Sequence, residues 1–139
     1  FLEMIIINII KIPWARPRMR MITAQNQVFQ PWWVIGSDMK DHLMALGIAA
    51  EEFKSFPSGH TGNAACALLL GVLPVICQKL KGKENLLFFI GVIFTLTVAF
   101  SRIIVGAHFL TDVTIGMSVT FLIEVIFVYK LWKKDNDSI

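Results

Sequence analysis

Four apolar stretches divide the chain, and three of them are long enough to form membrane-spanning helices. These three cover about residues 61–77, 86–105 and 109–132, close to the roughly 20 residues that a helix needs to cross a bilayer. The remaining stretch, residues 1–12, is shorter and is predicted to be the end of a longer span. The pattern therefore predicts an all-α, multi-pass transmembrane helix bundle.

A polar section, residues 15–58, separates the first two apolar stretches. Within it, Leu43, Leu46 and Ala50 follow a helical spacing behind Ser37, a candidate N-cap, which predicts a short amphipathic helix lying on the membrane between residues 37 and 52. Three tryptophans flank or lie in this section: Trp14, Trp32 and Trp33. They suit an interfacial aromatic belt, with stacking on a ligand as the alternative.

The composition supports a membrane protein and excludes most water-soluble folds. Of 139 residues, 55% are hydrophobic and only 17% charged, and the mean hydropathy is +0.65. The net charge of +3 is small and its basic residues are dispersed, which argues against a nucleic-acid partner. We expect a single domain over residues 1–139, with residues 15–58 as a loop within it. Because the chain opens inside an apolar run, we expect it to be the C-terminal part of a larger protein or a truncated product that lacks N-terminal helices.

Lysines in the connections predict the orientation of the bundle. They cluster at residues 79–83, between the second and third stretches, and at residues 130–134 after the last one. Alternating spans put both clusters on one face, which the positive-inside rule makes cytoplasmic. The long polar section then lies on the outer face, where this rule leaves several cations unexplained: Lys11, Arg16, Arg18, Arg20 and Arg102. They either snorkel to lipid headgroups or form an anion site.

Two histidines and an aspartate fall at the same outer ends of the spans. His108 and Asp112 are four residues apart, a spacing that lets a carboxylate orient an imidazole. Gly106 offers a helix break that would turn Arg102 and His108 toward one pocket. His60 stands in a Pro-Ser-Gly-His segment at the start of the second stretch, where helix N–H groups suit an anion. These residue types favour a phosphoryl-transfer site.

Three segments together resemble the signature of the type 2 phosphatidic acid phosphatase superfamily, the lipid phosphate phosphatases, which share their site with vanadium haloperoxidases. The segments are KIPWARPRM, PSGH at 57–60 and SRIIVGAHFLTD at 101–112. The second and third match fully. In the first, Lys11 and Arg18 have the expected spacing, but Met19 stands where the family has proline, and Arg16-Pro17 is a competing register.

The resemblance implies a six-helix membrane fold of which this chain supplies the last four helices. It implies that His108 is the nucleophile that forms a phosphohistidine, that Asp112 orients it, and that His60 protonates the leaving group. It also implies a set of phosphate-binding residues: Lys11, Arg18, Ser58, Gly59 and Arg102. No metal ion and no cofactor are implied.

The function predicted is hydrolysis of a lipid phosphate monoester or diphosphate at the outer face of a cell membrane, with a lipid as substrate and the bilayer as partner. Transfer of the phosphoryl group to an acceptor other than water, vanadate-dependent oxidation, and non-catalytic lipid binding or flipping are the alternatives. Phosphatidic acid, phosphatidylglycerol phosphate, a polyprenyl diphosphate and lipid A phosphates all remain candidate substrates. Compact loops suggest a bacterial source, and the oligomeric state stays open.

Overall fold

Every regular element in the described part of the chain is helical, as the apolar pattern predicts. The computed structural model describes residues 2–22, 28–36 and 38–136. Its α-helices, in chain order, are α1 Leu2–Trp14, α2 Asp38–Ala45, α3 Gly59–Ala65, α4 Leu73–Ile76, α5 Glu84–Ile104 and α6 Leu110–Asn136. Short 3₁₀ turns join several of them. The predicted all-α fold class is confirmed.

Three helical segments of the described chain are long and apolar enough to cross a membrane. They are Gly59–Ile76, Glu84–Ile104 and Leu110–Lys134, close to the three stretches predicted. Large apolar side chains cover their outward faces, among them Phe89, Ile93, Phe100 and Leu122. Such a surface is unfavourable in water but suits a hydrocarbon environment.

The helix interfaces are built from small residues rather than from a large apolar core. Gly62 of α3 faces Ile7 of α1, and a Cβ at Gly62 would lie 2.4 Å from Ile7 Cδ1. Gly91 of α5 faces the backbone of Ala67, and a Cβ there would lie 2.2 Å from the Ala67 carbonyl oxygen. Small residues let helix backbones approach closely, which is the usual packing in membranes.

The candidate membrane-spanning segment Gly59–Ile76 is not one regular α-helix. Between α3 and α4 the chain forms a 3₁₀ helix over Cys66–Val72. Thr95 Oγ1 of α5 donates to the Ala64 carbonyl oxygen over 3.1 Å. This hydrogen bond lies where the α-helix gives way to the 3₁₀ helix. The close approach at Gly91 falls in the same region. Contacts with α5 therefore accompany the tightening of the helix, which hydropathy alone does not predict.

The polar section packs on its own small core above the spans. Val28, Leu43 and Phe53 are buried against one another. The amphipathic helix predicted between residues 37 and 52 is shorter than expected, since α2 ends at Ala45. Gly47 follows with a φ of +90°, a left-handed conformation that favours glycine and stops the helix. The predicted N-cap, Ser37, lies outside the described residues.

Candidate active site

The Pro-Ser-Gly-His segment lies directly against the start of α6. The Ser58 N–H donates to the Asp112 carbonyl oxygen over 2.9 Å. A Cβ at Gly116 would come within 2.4 Å of the Ser58 carbonyl oxygen, closer than side chains approach backbone, so this position needs a glycine. This contact brings the second signature segment, residues 57–60, against the third, residues 101–112.

Lys11 of α1 lies beside the same segment. A Cβ built on Gly59 would lie 3.6 Å from Lys11 Nζ, so the ammonium group stands over the glycine backbone. The close packing of Ile7 on Gly62, one turn away on each helix, holds α1 in this place. The first signature segment, which begins at Lys11, therefore lies beside the other two, although 48 positions separate Lys11 from Gly59 in the chain.

His60 is exposed and stands among the predicted phosphate-binding cations. The side chains within electrostatic range of its ring include those of Arg102, His108, Lys11 and Arg18. His60, His108 and three cations thus share one region of the described structure. A concentration of positive groups that do not neutralise one another is what a multiply charged anion would stabilise.

Arg102 reaches this region because the chain breaks between α5 and α6. Arg102 lies half-buried in the last turn of α5, where its Nε donates to Ser101 Oγ over 3.4 Å. Gly106 then adopts a φ of +67° and turns the chain toward α6, as the sequence predicts. The Gly106 carbonyl oxygen accepts from the Arg20 N–H over 2.7 Å, which ties this turn to the polar section.

The buried ring of His108 is held by a backbone carbonyl. His108 Nδ1 lies 2.7 Å from the Ser55 carbonyl oxygen and 3.8 Å from Asp112 Oδ2. The first distance is that of a hydrogen bond, whereas the second is too long for one. A carbonyl oxygen can only accept, so Nδ1 carries a proton, and in the neutral imidazole Nε2 then keeps its lone pair. The spacing of four residues predicts proximity to Asp112, and the structure adds Ser55 as the hydrogen-bond partner.

Asp112 is completely buried, and donors surround both of its oxygens. Arg16 Nη1 binds Oδ1, and the Ser55 hydroxyl donates to Oδ2. The Phe109 N–H also donates to Oδ2, over 2.9 Å, so the carboxylate caps the start of α6. A buried carboxylate needs such partners, since an unpaired charge in the interior is very costly.

The two arginines of the competing registers occupy different environments. Arg16 is 2% exposed and binds Asp112, whereas Arg18 is half-buried and donates from Nε to the Glu51 carbonyl oxygen over 3.1 Å. Burial lowers the pKa of Arg16, and the Asp112 carboxylate opposes that change. Its guanidinium nevertheless stays charged at any ordinary pH.

Arg20, another cation on the predicted outer side, is paired with an acidic residue. Its guanidinium donates two hydrogen bonds to the Glu52 carboxylate. These hydrogen bonds lower the pKa of Glu52 below its ordinary value of 4.5 and raise that of Arg20. This pairing accounts for one of the cations that the topology leaves unexplained.

Ser58 supports the site as a helix cap. Its hydroxyl oxygen accepts from the Thr61 N–H over 3.4 Å and lies 3.0 Å from Thr61 Oγ1. The side chain is fully buried and serves as the N-cap of α3. It thereby orients the turn that carries Gly59 and His60.

The sequence reasoning missed Ser55, Gln30 and Thr111. Ser55 touches both His108 and Asp112, and the other two accept hydrogen bonds from Arg16. Ser55 stands only three positions before Ser58, a proximity that could have drawn attention to it. Gln30 contributes only its backbone oxygen, so no side-chain pattern could have revealed it.

A family model described as PAP2 superfamily matches residues 1–136. The chain belongs to this superfamily. The resemblance of its three segments is thereby confirmed, and the helical fold is compatible with that of the superfamily.

One protein of similar sequence is the phosphatidylglycerophosphatase B of Bacillus subtilis (strain 168). The two are 43% identical over 77 residues, which cover 50% of this chain and 35% of the relative. The matched region thus spans about a third of the relative's length. No solved structure matches the chain significantly.

Proposed function

We propose that this protein is a membrane-embedded lipid phosphatase that hydrolyses a lipid phosphate monoester or diphosphate through a phosphohistidine intermediate. The observation that carries the proposal is the free Nε2 lone pair of His108, whose Nδ1 is bound to the Ser55 carbonyl, beside His60 and three cations. Membership of the superfamily and the similarity to a phosphatidylglycerophosphatase support the same class of reaction.

In the first step, His108 acts as the nucleophile. Its Nε2 lone pair attacks phosphorus, a P–N bond forms, and the P–O bond to the lipid breaks. His60 donates a proton to the leaving oxygen, so that an alcohol or a lipid phosphate departs. The imidazolium that forms is stabilised by the Asp112 carboxylate, 3.8 Å from Nδ1.

In the second step, water replaces the lipid. Water attacks the phosphohistidine, the P–N bond breaks, and His60 accepts a proton from the water. Inorganic phosphate leaves, and both histidines return to their starting states. The transferring phosphoryl group spreads charge over its oxygens in each step, and Lys11, Arg18 and Arg102 would stabilise that charge. Ser58 and the Gly59 N–H would complete the phosphate pocket.

The orientation proposed places the site on the extracytoplasmic face, with the lysine clusters and the C-terminus in the cytoplasm. Thiol labelling tests it. With Cys66 replaced by Ser, Cys77 near the lysine cluster should resist a membrane-impermeant reagent in intact cells. A His42→Cys variant, in the exposed part of α2, should react when both natural cysteines are absent. The opposite labelling pattern would reverse the proposed orientation.

Phosphate release from defined lipids tests the function. Phosphatidylglycerol phosphate is the first substrate to try, because of the relative's name, followed by phosphatidic acid, a polyprenyl diphosphate and lipid A. His108→Ala should abolish release while leaving helix content unchanged. Release without an added acceptor would distinguish hydrolysis from phosphotransfer. Tight lipid binding with no turnover by the wild-type protein would instead indicate a non-catalytic lipid-binding role.

A further inference from the structure

The nucleophile is attached to a closed ring of hydrogen bonds that three residues form. We call Arg16, Ser55 and Asp112 the positioning ring, and His108 is bonded to it through Ser55. The Ser55 N–H donates to the Arg16 carbonyl oxygen over 3.0 Å, its hydroxyl donates to Asp112, and its own carbonyl accepts from His108. The Arg16 side chain closes the ring by binding Asp112. All four residues are buried, with 0–2% of each exposed.

The guanidinium of Arg16 is engaged on several sides. Its Nε donates to the Gln30 carbonyl oxygen over 2.8 Å, and its Nη1 donates to Thr111 Oγ1 over 2.9 Å as well as to Asp112. Its central carbon lies 4.1 Å from the centroid of the Phe109 ring, within the range of a cation–π contact. These contacts hold the cation against Asp112.

Ser55 is the member that joins the carboxylate to the nucleophile. Its hydroxyl acts on Asp112 and its carbonyl acts on His108, so a shift of this one residue would move both partners. Asp112 lies too far from Nδ1 for a direct hydrogen bond and influences His108 through its charge and through Ser55.

We propose that Arg16 and Ser55 are positioning residues: they hold Asp112 as a buried carboxylate and fix the His108 ring with Nδ1 protonated and Nε2 facing the phosphoryl group. The assignment rests on the proposed function. It separates the two arginines of the first segment, because Arg18 contributes to the phosphate pocket and Arg16 acts through Asp112. The catalytic residues remain His108 and His60.

The kinetic test compares Arg16→Gln and Ser55→Ala with Arg18→Gln in the detergent-purified protein. The two positioning variants should lower kcat about 10–100-fold and change KM by less than about twofold, as expected for loss of a residue that orients a catalytic group. Arg18→Gln should raise KM and weaken inhibition by vanadate. Arg20→Gln and Ser118→Ala are matched controls with exposed side chains and should keep wild-type kinetics.

Two further variants separate positioning from stability. Arg16→Lys keeps the positive charge and should recover part of the lost kcat. The double variant Arg16→Gln/Asp112→Asn should be no slower than Asp112→Asn alone, since Arg16 acts through that carboxylate. If Arg16→Gln fails to fold, Ser55→Ala decides the question, because it removes a single hydroxyl group and keeps the backbone contacts.

A spectroscopic readout is independent of turnover. The chain has three histidines, so ¹⁵N labelling of histidine gives a small set of imidazole signals, and His108→Gln assigns the one of interest. The wild type should show His108 with a protonated Nδ1 and an unprotonated Nε2. Ser55→Ala and Arg16→Gln should shift or broaden these signals, while Arg20→Gln should leave them unchanged.

The outcomes distinguish the two proposals. A raised KM with unchanged kcat in Arg16→Gln would make Arg16 a phosphate ligand and overturn the positioning role. Unshifted His108 signals in both positioning variants would overturn it as well. A wild-type protein that releases no phosphate from any lipid would refute the proposed function. Shifted His108 signals in the two variants would still show that Arg16 and Ser55 position the His108 imidazole.

Discussion

The carbonyl oxygen of Ser58 lies so close to Gly116 that a Cβ on the glycine would be 2.4 Å away from it. This contact joins the turn before α3 to the second turn of α6, and it thereby brings His60 near His108. A backbone oxygen cannot move aside as the end of a flexible side chain can. The geometry of the site therefore depends on one small residue that takes no part in the chemistry.

Gly116→Ala should push α3 and α6 apart. We expect a loss of about 1–3 kcal/mol in stability, typical of overpacking, together with a fall in kcat because the two histidines separate. Thermal unfolding and phosphate release in detergent measure the two effects. Ser118→Ala, two positions along the same helix and exposed, is the control. Wild-type stability and activity in Gly116→Ala would contradict the tight contact.

Lys11→Gln should weaken binding of the phosphoryl group. Loss of a charge-assisted hydrogen bond of about 1.5–3 kcal/mol corresponds to roughly a 10–100-fold fall in kcat/KM. Vanadate, as a phosphate mimic, should also inhibit the variant less strongly. Lys79→Gln, in the exposed lysine cluster between two spans, provides the matched control. Equal vanadate inhibition in the Lys11 variant and the wild type would remove Lys11 from the pocket.

His60→Ala should reveal the role of the proton donor through its dependence on the leaving group. Release from a lipid alcohol should fall about 10²–10⁴-fold, the usual contribution of general acid catalysis. With an aryl phosphate, the phenolate leaves with little need for protonation. The rate at which His60→Ala forms the phosphohistidine should therefore fall much less with this substrate. The comparison uses single-turnover assays that follow phenolate release. An equal loss with both substrates would argue against His60 as the acid in the first step.

Chelation should leave phosphate release unchanged. The proposed mechanism stabilises the phosphoryl charge with Lys11, Arg18 and Arg102, so it uses no metal ion. Activity is measured before and after treatment with a strong chelator, with a magnesium-dependent phosphatase as the positive control. Loss of activity that is restored by a divalent cation would contradict the metal-free mechanism.

The Arg20–Glu52 pair should make the polar section sensitive to acid. Because the folded-state pKa of Glu52 is lowered below 4.5, the pair stabilises the fold above that pH and loses its effect as the pH falls through the folded-state pKa. The thermal midpoints of wild type and Glu52→Gln should therefore differ at about pH 6 and converge as the pH falls below 4.5 and through the folded-state pKa of Glu52. The difference should be small, since exposed ion pairs contribute little. A difference between the two thermal midpoints that grows as the pH falls would contradict this pH dependence.

Much of the fold was predictable from the chain because hydrocarbon burial acts on composition and length. Runs of about 20 apolar residues are enough to predict the helices that became Gly59–Ile76, α5 and α6. The break at Gly106 was predictable too, since a glycine between two apolar runs allows the left-handed φ that turns the chain. Likewise the spacing of His108 and Asp112 indicates that they are neighbours.

What the sequence by itself determined is the inventory of the site: three segments whose residue types suit phosphoryl transfer, placed at the same ends of apolar helices. Only the tertiary structure decided which partner each residue takes. The predicted neighbour of His108 is Asp112, yet its hydrogen bond goes to the carbonyl of Ser55, 53 positions earlier. Arg16 and Arg18 are two residues apart in the chain, but one is buried against Asp112 and the other is near His60. Periodicity acts over a few residues, whereas these choices depend on backbone atoms and donors that distant segments bring together.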